Sequence, residues 1–193
     1  MRVTGGTHKG RVINVPAGNS VRPTSDRMRE SLFNILNHAS WVDNAIVDDA
    51  HVMDMFCGSG ALGIEALSRG AAHCVFVDNA ALSLQFVKDN TAYLPKDDYQ
   101  IIKASADKLS PRPSHVPPRD LVFMDPPYFK GLVDDALSVL VNGGWMTDGA
   151  VIIAETEKGA NIVLADMFQR LDHRVQGTSE LHILRYKPAV NQD

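Results

Sequence analysis

The octapeptide Leu121-Val122-Phe123-Met124-Asp125-Pro126-Pro127-Tyr128 puts a carboxylate, two prolines and an aromatic ring at the end of an apolar run. Four apolar residues after the charged pair Arg119-Asp120 read as a strand buried within a parallel sheet. The proline pair ends it, because proline has no N–H to give the ladder. A strand that stops this way delivers its last side chains to the carboxyl edge of the sheet, where α/β proteins bind ligands. An acceptor, a rigid backbone and a stacking surface at that edge suit the grip of an exocyclic amine on a flat heterocycle. Asp125 would accept one N–H, the Pro126 carbonyl the other, and Tyr128 would stack on the ring. Asp125, Pro126, Pro127 and Tyr128 are therefore the candidate catalytic set. The competing reading is a Pro-Pro turn in which Asp125 caps the next helix.

A second constellation lies upstream. Val52 to Phe56 reads as a strand followed at once by Cys57-Gly58-Ser59-Gly60-Ala61-Leu62-Gly63, a GxGxxG turn that opens a helical pattern running to Gly70. Such glycines give a tight turn, close backbone approach to a ligand, and close packing of helix on strand. The next strand, Cys74 to Val77, ends in Asp78. That places a carboxylate about twenty residues after Gly58, the spacing of a ribose-binding acid, with Asn79 beside it to reach toward a base. Either a dinucleotide or S-adenosylmethionine could present an adenosine to this turn. Asp54, four residues before Gly58, decides between them: a carboxylate there repels a pyrophosphate on the helix N-terminus and suits an ammonium and a sulfonium. Asp54, Phe56, Gly58, Ser59, Gly60, Asp78 and Asn79 are the candidate cofactor residues. The plainer alternatives are that Asp54 is a structural acid bonded to loop N–H groups and that Asp78-Asn79 is a capping turn.

The segment Arg22-Pro23-Thr24-Ser25-Asp26-Arg27-Met28-Arg29-Glu30-Ser31-Leu32-Phe33-Asn34, the run from Asp54 to Gly70 and the tetrapeptide Asp125-Pro126-Pro127-Tyr128 together resemble the RsmD family. Those are bacterial methyltransferases that modify the N2 amine of one guanine in 16S ribosomal RNA. The resemblance covers the chain from Gly5-Gly6 to about Glu157. It implies an α/β, doubly wound, Rossmann-like class I S-adenosylmethionine-dependent methyltransferase sheet with an antiparallel edge strand. It also implies 16S ribosomal RNA as partner, free or within an assembling small subunit. The tetrapeptide is shared with DNA adenine-N6 methyltransferases, which are the alternative reading, and specifies only the reaction type. The chain departs from the family at Cys57, and near the adenine it has Ser105-Ala106 with Asp107 one place late. Ser105 and Ala106 are the candidate adenine contacts. The reaction expected is direct in-line methyl transfer without a metal, on a nucleotide flipped out to stack on Tyr128.

Composition agrees with a single soluble globule: 193 residues, 45% hydrophobic. No run approaches the roughly 18 apolar residues of a membrane span, and the N-terminus lacks a signal-peptide core, so a cytoplasmic monomer is expected. Cys57 and Cys74 are too few and too buried in pattern for a disulfide framework, and no zinc spacing is present. Residues 1–38 hold six arginines and lysines against two acids, in a chain whose net charge is −4. A basic lobe on an acidic body suits local, salt-sensitive contact with a phosphate backbone. Arg2, His8, Lys9, Arg11, Phe129 and Lys130 are the candidate RNA contacts. His38, His51, His73 and His115 carry no partner pattern and read as surface or capping residues.

Two units must position these groups. Residues 1–40 form a small N-terminal β-hairpin and helix extension, and residues 41–193 the catalytic domain. Arg2-Val3-Thr4 and Arg11 to Val15 flank a turn whose tip presents His8 and Lys9. A helix capped by Thr24 or Ser25 follows, with Met28, Leu32, Ile35 and Leu36 on its inner face. Its placement would let Arg22, Pro23 and Thr24 close over the cofactor. From His51 onward strands and helices alternate, with Leu171 to Val175 and Leu181 to Tyr186 as a closing pair around Gly177.

Overall fold

The computed structural model describes residues 1–16, 26–41, 46–127, 131–160, 162 and 164–188. Arg22, Pro23, Thr24 and the proposed helix caps, as well as Tyr128, Phe129 and Lys130, lie outside the described residues. The strands are β1 (His51–Met55), β2 (His73–Asp78), β3 (Tyr99–Lys103), β4 (Arg119–Met124), β5 (Met146–Glu157), β6 (Phe168–Gln176) and β7 (Ser179–Tyr186). The helices are α1 (Asp26–His38), α2 (Ala61–Ser68), α3 (Ala81–Asn90) and α4 (Leu132–Asn142). Among the described residues, seven strands form one sheet in the order β3-β2-β1-β4-β5-β7-β6. The first five are parallel, and β7 runs antiparallel to both β5 and β6. The antiparallel strand expected at the sheet's end thus sits one place in from the edge.

β1 occupies the middle of the parallel part, paired on both sides, and four of its five residues are buried. Side chains alternate across the sheet. Val52, Phe76, Leu121 and Phe123 enter a cluster with residues of α1, α2 and α3. Met53, Met55, Val122 and Met124 enter a second cluster with Val133, Ala136, Leu137 and Leu140 of α4. Asp54 belongs to the first face. At the amino end, Asp120 accepts the His51 N–H at 2.9 Å and the Thr147 hydroxyl at 3.2 Å, which fixes the register of β1, β4 and β5. His51 and His73 sit there, half-buried, far along the strands from the glycine turn. Cys57 and Cys74 are free and buried, and burial pushes both thiols up.

The N-terminal hairpin is short: Arg2 and Val12 form a single antiparallel bridge, and Val3 and Ile13 turn into the core shared with the sheet. Its tip is docked rather than projecting. Ser68 at the end of α2 donates to the Gly5 carbonyl at 2.6 Å, accepts the His8 N–H at 2.9 Å, and its own carbonyl accepts the Thr7 N–H at 2.7 Å. Glu65, fully buried in α2, accepts the Thr4 N–H at 2.8 Å, the Thr4 hydroxyl at 2.6 Å and Arg69 Nε at 2.8 Å. Arg29 of α1 completes this buried group with Nε 3.7 Å from Glu65. The inner face of α1 therefore holds Arg29 and Phe33 besides Leu32, Ile35 and Leu36, whereas Met28 is half-buried. The helix period puts Arg29 on the same face as Leu32, Phe33 and Leu36, but a charge there needs a buried partner, and that partner, Glu65, is thirty-six positions away.

Candidate active site

Three acids meet at the carboxyl edge, one from each of the neighbouring strands β1, β2 and β4. Asp54, 2% exposed, is held by the Gly63 N–H at 2.9 Å to Oδ2. Burial drives its carboxyl well above the ordinary aspartate range, and the charges of Asp125 and Asp78 push the same way. Asp78, the last residue of β2, accepts the Gly58 N–H at 3.0 Å on Oδ2 and the Ala80 N–H at 2.8 Å on Oδ1. Asp125 follows β4 directly and is half-buried, with Pro126 buried and Pro127 exposed behind it. Both plainer readings of the acids are realised: Asp54 and Asp78 do hold loop backbone. A carboxylate oxygen has a second lone pair, so that work leaves acceptor capacity for a ligand. Such a cluster of mutually repelling acids is relieved by a cation.

The glycine turn between them has little freedom. Phe56 carries φ 59°, a left-handed value uncommon for an aromatic residue, and Gly58 and Gly60 follow at 53° and 79°. Cys57 N–H donates to Val77 at 3.1 Å and Gly60 N–H to Cys57 at 2.7 Å, closing the turn onto β2. A Cβ on Gly58 would meet nothing within 4 Å, so the turn presents bare backbone to open space. At Gly63 the constraint is reversed: a Cβ would stand 2.4 Å from Phe76 Cε1 and 2.6 Å from Cys74 Sγ. The three glycines thus separate into two for the turn and one for helix-strand packing.

Asn90, 5% exposed on α3, was not legible as a site residue. Its side-chain amide donates to the Ser59 carbonyl at 3.0 Å and to the Asn14 carbonyl at 2.9 Å, while its oxygen accepts the Asn14 N–H at 2.9 Å. It clamps the hairpin's second arm to the glycine turn. Beside Pro126 and Pro127 lies a small cleft lined also by Val133, Asp134, Thr156 and Glu157. Those acids went unnoticed too, although Glu157 repeats the signal of an acid at a strand's carboxyl end.

The other candidates are dispersed. Asn79 is exposed after β2. Ser105 precedes a single 3-10 turn, its hydroxyl bonded to Asp107; Ala106 is buried and Asp107 exposed. Arg2, His8, Lys9 and Arg11 gather on the hairpin. Arg2 donates to the Gly10 carbonyl at 2.8 Å, His8 meets the edge of Tyr93, and the Arg11 guanidinium lies 3.4 Å over the Tyr93 ring. Lys9 is exposed. The tip rests at the C-terminal end of α2, whereas the glycine turn is at its N-terminal end. No described helix is long and apolar enough to cross a membrane.

This strand order, with a glycine turn after β1 and acids ending its neighbours, is the Rossmann-like class I methyltransferase fold. Residues 1–185 match the family described as conserved hypothetical protein 95, and the chain belongs to it, the RsmD family its motifs resemble. Ribosomal RNA small subunit methyltransferase D of Escherichia coli K12 is 39% identical over 158 residues, 81% of this chain and 75% of that protein. The Haemophilus influenzae protein of the same name is 31% identical over 179 residues, 92% of this chain and 89% of its own length. The solved structure of yhhF from Escherichia coli superposes with a TM-score of 0.82 at 31% identity, covering 97% of this chain and 98% of that one.

Proposed function

We propose that this methyltransferase-family chain uses S-adenosylmethionine to methylate the N2 amine of a guanine in 16S ribosomal RNA. The observation that carries the reading is the convergence of Asp54, Asp78 and Asp125 around a bare glycine turn. That environment fits a ligand with an ammonium, a sulfonium and a ribose, and does not fit a pyrophosphate. Asp78 and Asp54 would hold the ribose and the cationic end, with Phe56, Gly58, Ser59 and Gly60 as the wall and Asn79, Ser105 and Ala106 on the adenine side. Arg22, Pro23 and Thr24 would cover it. Bound there, the cofactor supplies an electrophilic methyl group.

The chain's own part is positioning. A guanine amine is a weak nucleophile because its lone pair is delocalised into the ring. Accepting its two N–H groups at Asp125 and the Pro126 carbonyl raises its electron density and fixes its direction of approach, with Tyr128 stacked on the base. Orientation of this kind accounts for roughly 7–11 kcal/mol in favourable intramolecular cases. The basic hairpin, with Phe129 and Lys130, would bear on the RNA. RNA rather than DNA is favoured because relatives alike along most of their length carry a ribosomal RNA methyltransferase name.

The test offers methyl-labelled donor to 16S RNA, to small subunits and to DNA, with mass mapping of the product. The expected result is label on guanine N2 of the RNA. Asp125→Ala should lower turnover roughly a hundredfold or more with donor affinity retained. Label on DNA adenine, or near-normal turnover by the variant, would overturn the reading.

A further inference from the structure

The hairpin made by β6 and β7 carries two histidines and a glutamate that the methyl-transfer site does not use. Register places His173 directly opposite His182, and Glu180 two residues before His182, so all three side chains leave on one face of the sheet. The two imidazoles stack with centroids 4.8 Å apart and 26° between their planes. Glu180 Oε2 stands 3.1 Å from His173 Nε2 and 3.8 Å from His182 Nε2, and one donor atom from each residue falls within 4.8 Å of the others. We propose that His173, Glu180 and His182 form a binding site for a divalent transition metal ion, with zinc the ion best matched to the donors.

The distances support this. Tetrahedral zinc with imidazole and carboxylate ligands at about 2.0–2.2 Å sets its donors roughly 3.3 Å apart. The separations to Oε2 bracket that value, so small side-chain rotations complete the set. The carboxylate is already aimed: Gly159 N–H donates to Oε1 at 3.1 Å and leaves Oε2 facing both rings. A backbone donor on the outer oxygen is the kind of support that orients a ligating carboxylate. His182 is 2% exposed, and its Nε2 is the ring nitrogen turned toward Glu180. Thr156 Oγ1 hydrogen-bonds His182 Nε2 at 3.0 Å in the metal-free site; an ion on Nε2 replaces that bond and leaves the hydroxyl beside the fourth position, where it can bond a metal-bound water.

The donor set of two imidazoles and a carboxylate with an open position selects zinc or its neighbours over magnesium or calcium, which prefer oxygen. An ion here would tie β6 to β7 beside the end of β5. Metal uptake at this hairpin is independent of the proposed methyl transfer.

The chain, free of any polyhistidine tag and stripped with a chelator, is titrated with Zn²⁺ by calorimetry and with Co²⁺ by visible absorption. One ion per chain and the intense d–d bands of four-coordinate cobalt are expected. His173→Ala and Glu180→Gln should each weaken binding by roughly tenfold to a hundredfold or more. His173 is substantially exposed and Glu180 partly so; an unchanged urea midpoint in either metal-free variant confirms its fold. Absence of saturable uptake at micromolar zinc, or equal affinity in the wild type and both variants, would overturn the proposal.

Discussion

Asp54 Oδ2 accepts the Gly63 N–H at 2.9 Å, which ties the end of β1 to the first turn of α2 across the glycine loop. The bond holds a buried carboxylate close to two other acids, an arrangement that favours a bound cation and disfavours the empty fold. Asp54→Asn keeps an acceptor for Gly63 and removes the charge. The variant should unfold at a higher temperature than the parent while binding S-adenosylmethionine at least roughly tenfold more weakly. Calorimetric melting and a donor titration on the same sample check both halves; a lower melting point with unchanged affinity contradicts them.

Gly63 has no room for a methyl group against Phe76 and Cys74. Gly63→Ala should destabilise the fold by about 1–3 kcal/mol through overpacking, despite alanine's better helix propensity. Urea denaturation measures it. A stabilised variant would show that α2 can shift off β2 freely.

Glu65 joins the hairpin to α2 through Thr4, Arg69 and Arg29. Glu65→Ala leaves buried cations without their carboxylate, and a loss of about 3–5 kcal/mol is expected. Gly6→Ala should detach the same contact from its other end, since a Cβ there would stand 1.6 Å from the Ser68 carbonyl at a φ of 75°. Proteolysis near residues 1–16 should accelerate in both. Equal protection in wild type and variants counts against the docking.

Asn90→Ala removes three hydrogen bonds that span the hairpin and the glycine turn. A cost of about 1–3 kcal/mol is expected, with weaker donor binding because the Ser59 carbonyl loses its support. Paired unfolding and affinity measurements separate this from a purely local loss, which would leave affinity intact.

His73 and His182 both have pKa values lowered to about 4, His73 by burial and then by Arg119 and His51, His182 by burial and then by His173 and Arg170. An unfolded histidine titrates near 6.5. Between about pH 6.5 and 4 the unfolded chain takes up protons that the folded chain refuses, so stability falls as pH falls. Each group contributes at most about 1.4 kcal/mol per pH unit, and His73 less because it is partly exposed. Urea midpoints of metal-free protein at successive pH values should drop across this window and drop less in His182→Gln. An identical slope in that variant removes His182 from the account.

The local signals in the sequence were enough for the catalytic scaffold. Apolar runs ending in Asp78 and Asp125, and a strand followed by glycines at 58, 60 and 63, state their own conformations through patterns a few residues long. Strand boundaries came out close: the Cys74 run that ends in Asp78 is β2 but for its first residue, and Leu181 to Tyr186 is β7 without Ser179 and Glu180, two polar residues that break the apolar pattern without breaking the strand. Short-range patterns could not bring Arg29 to Glu65 or Asn90 to Ser59. Nor could they set His173 against His182 or turn the hairpin tip onto Ser68. Those pairings join positions from nine to more than sixty residues apart, and a strand's register or a helix's rotation by one residue would abolish each of them. Packing of the whole sheet against its helices decides that register, so only the tertiary structure could show which polar side chains meet.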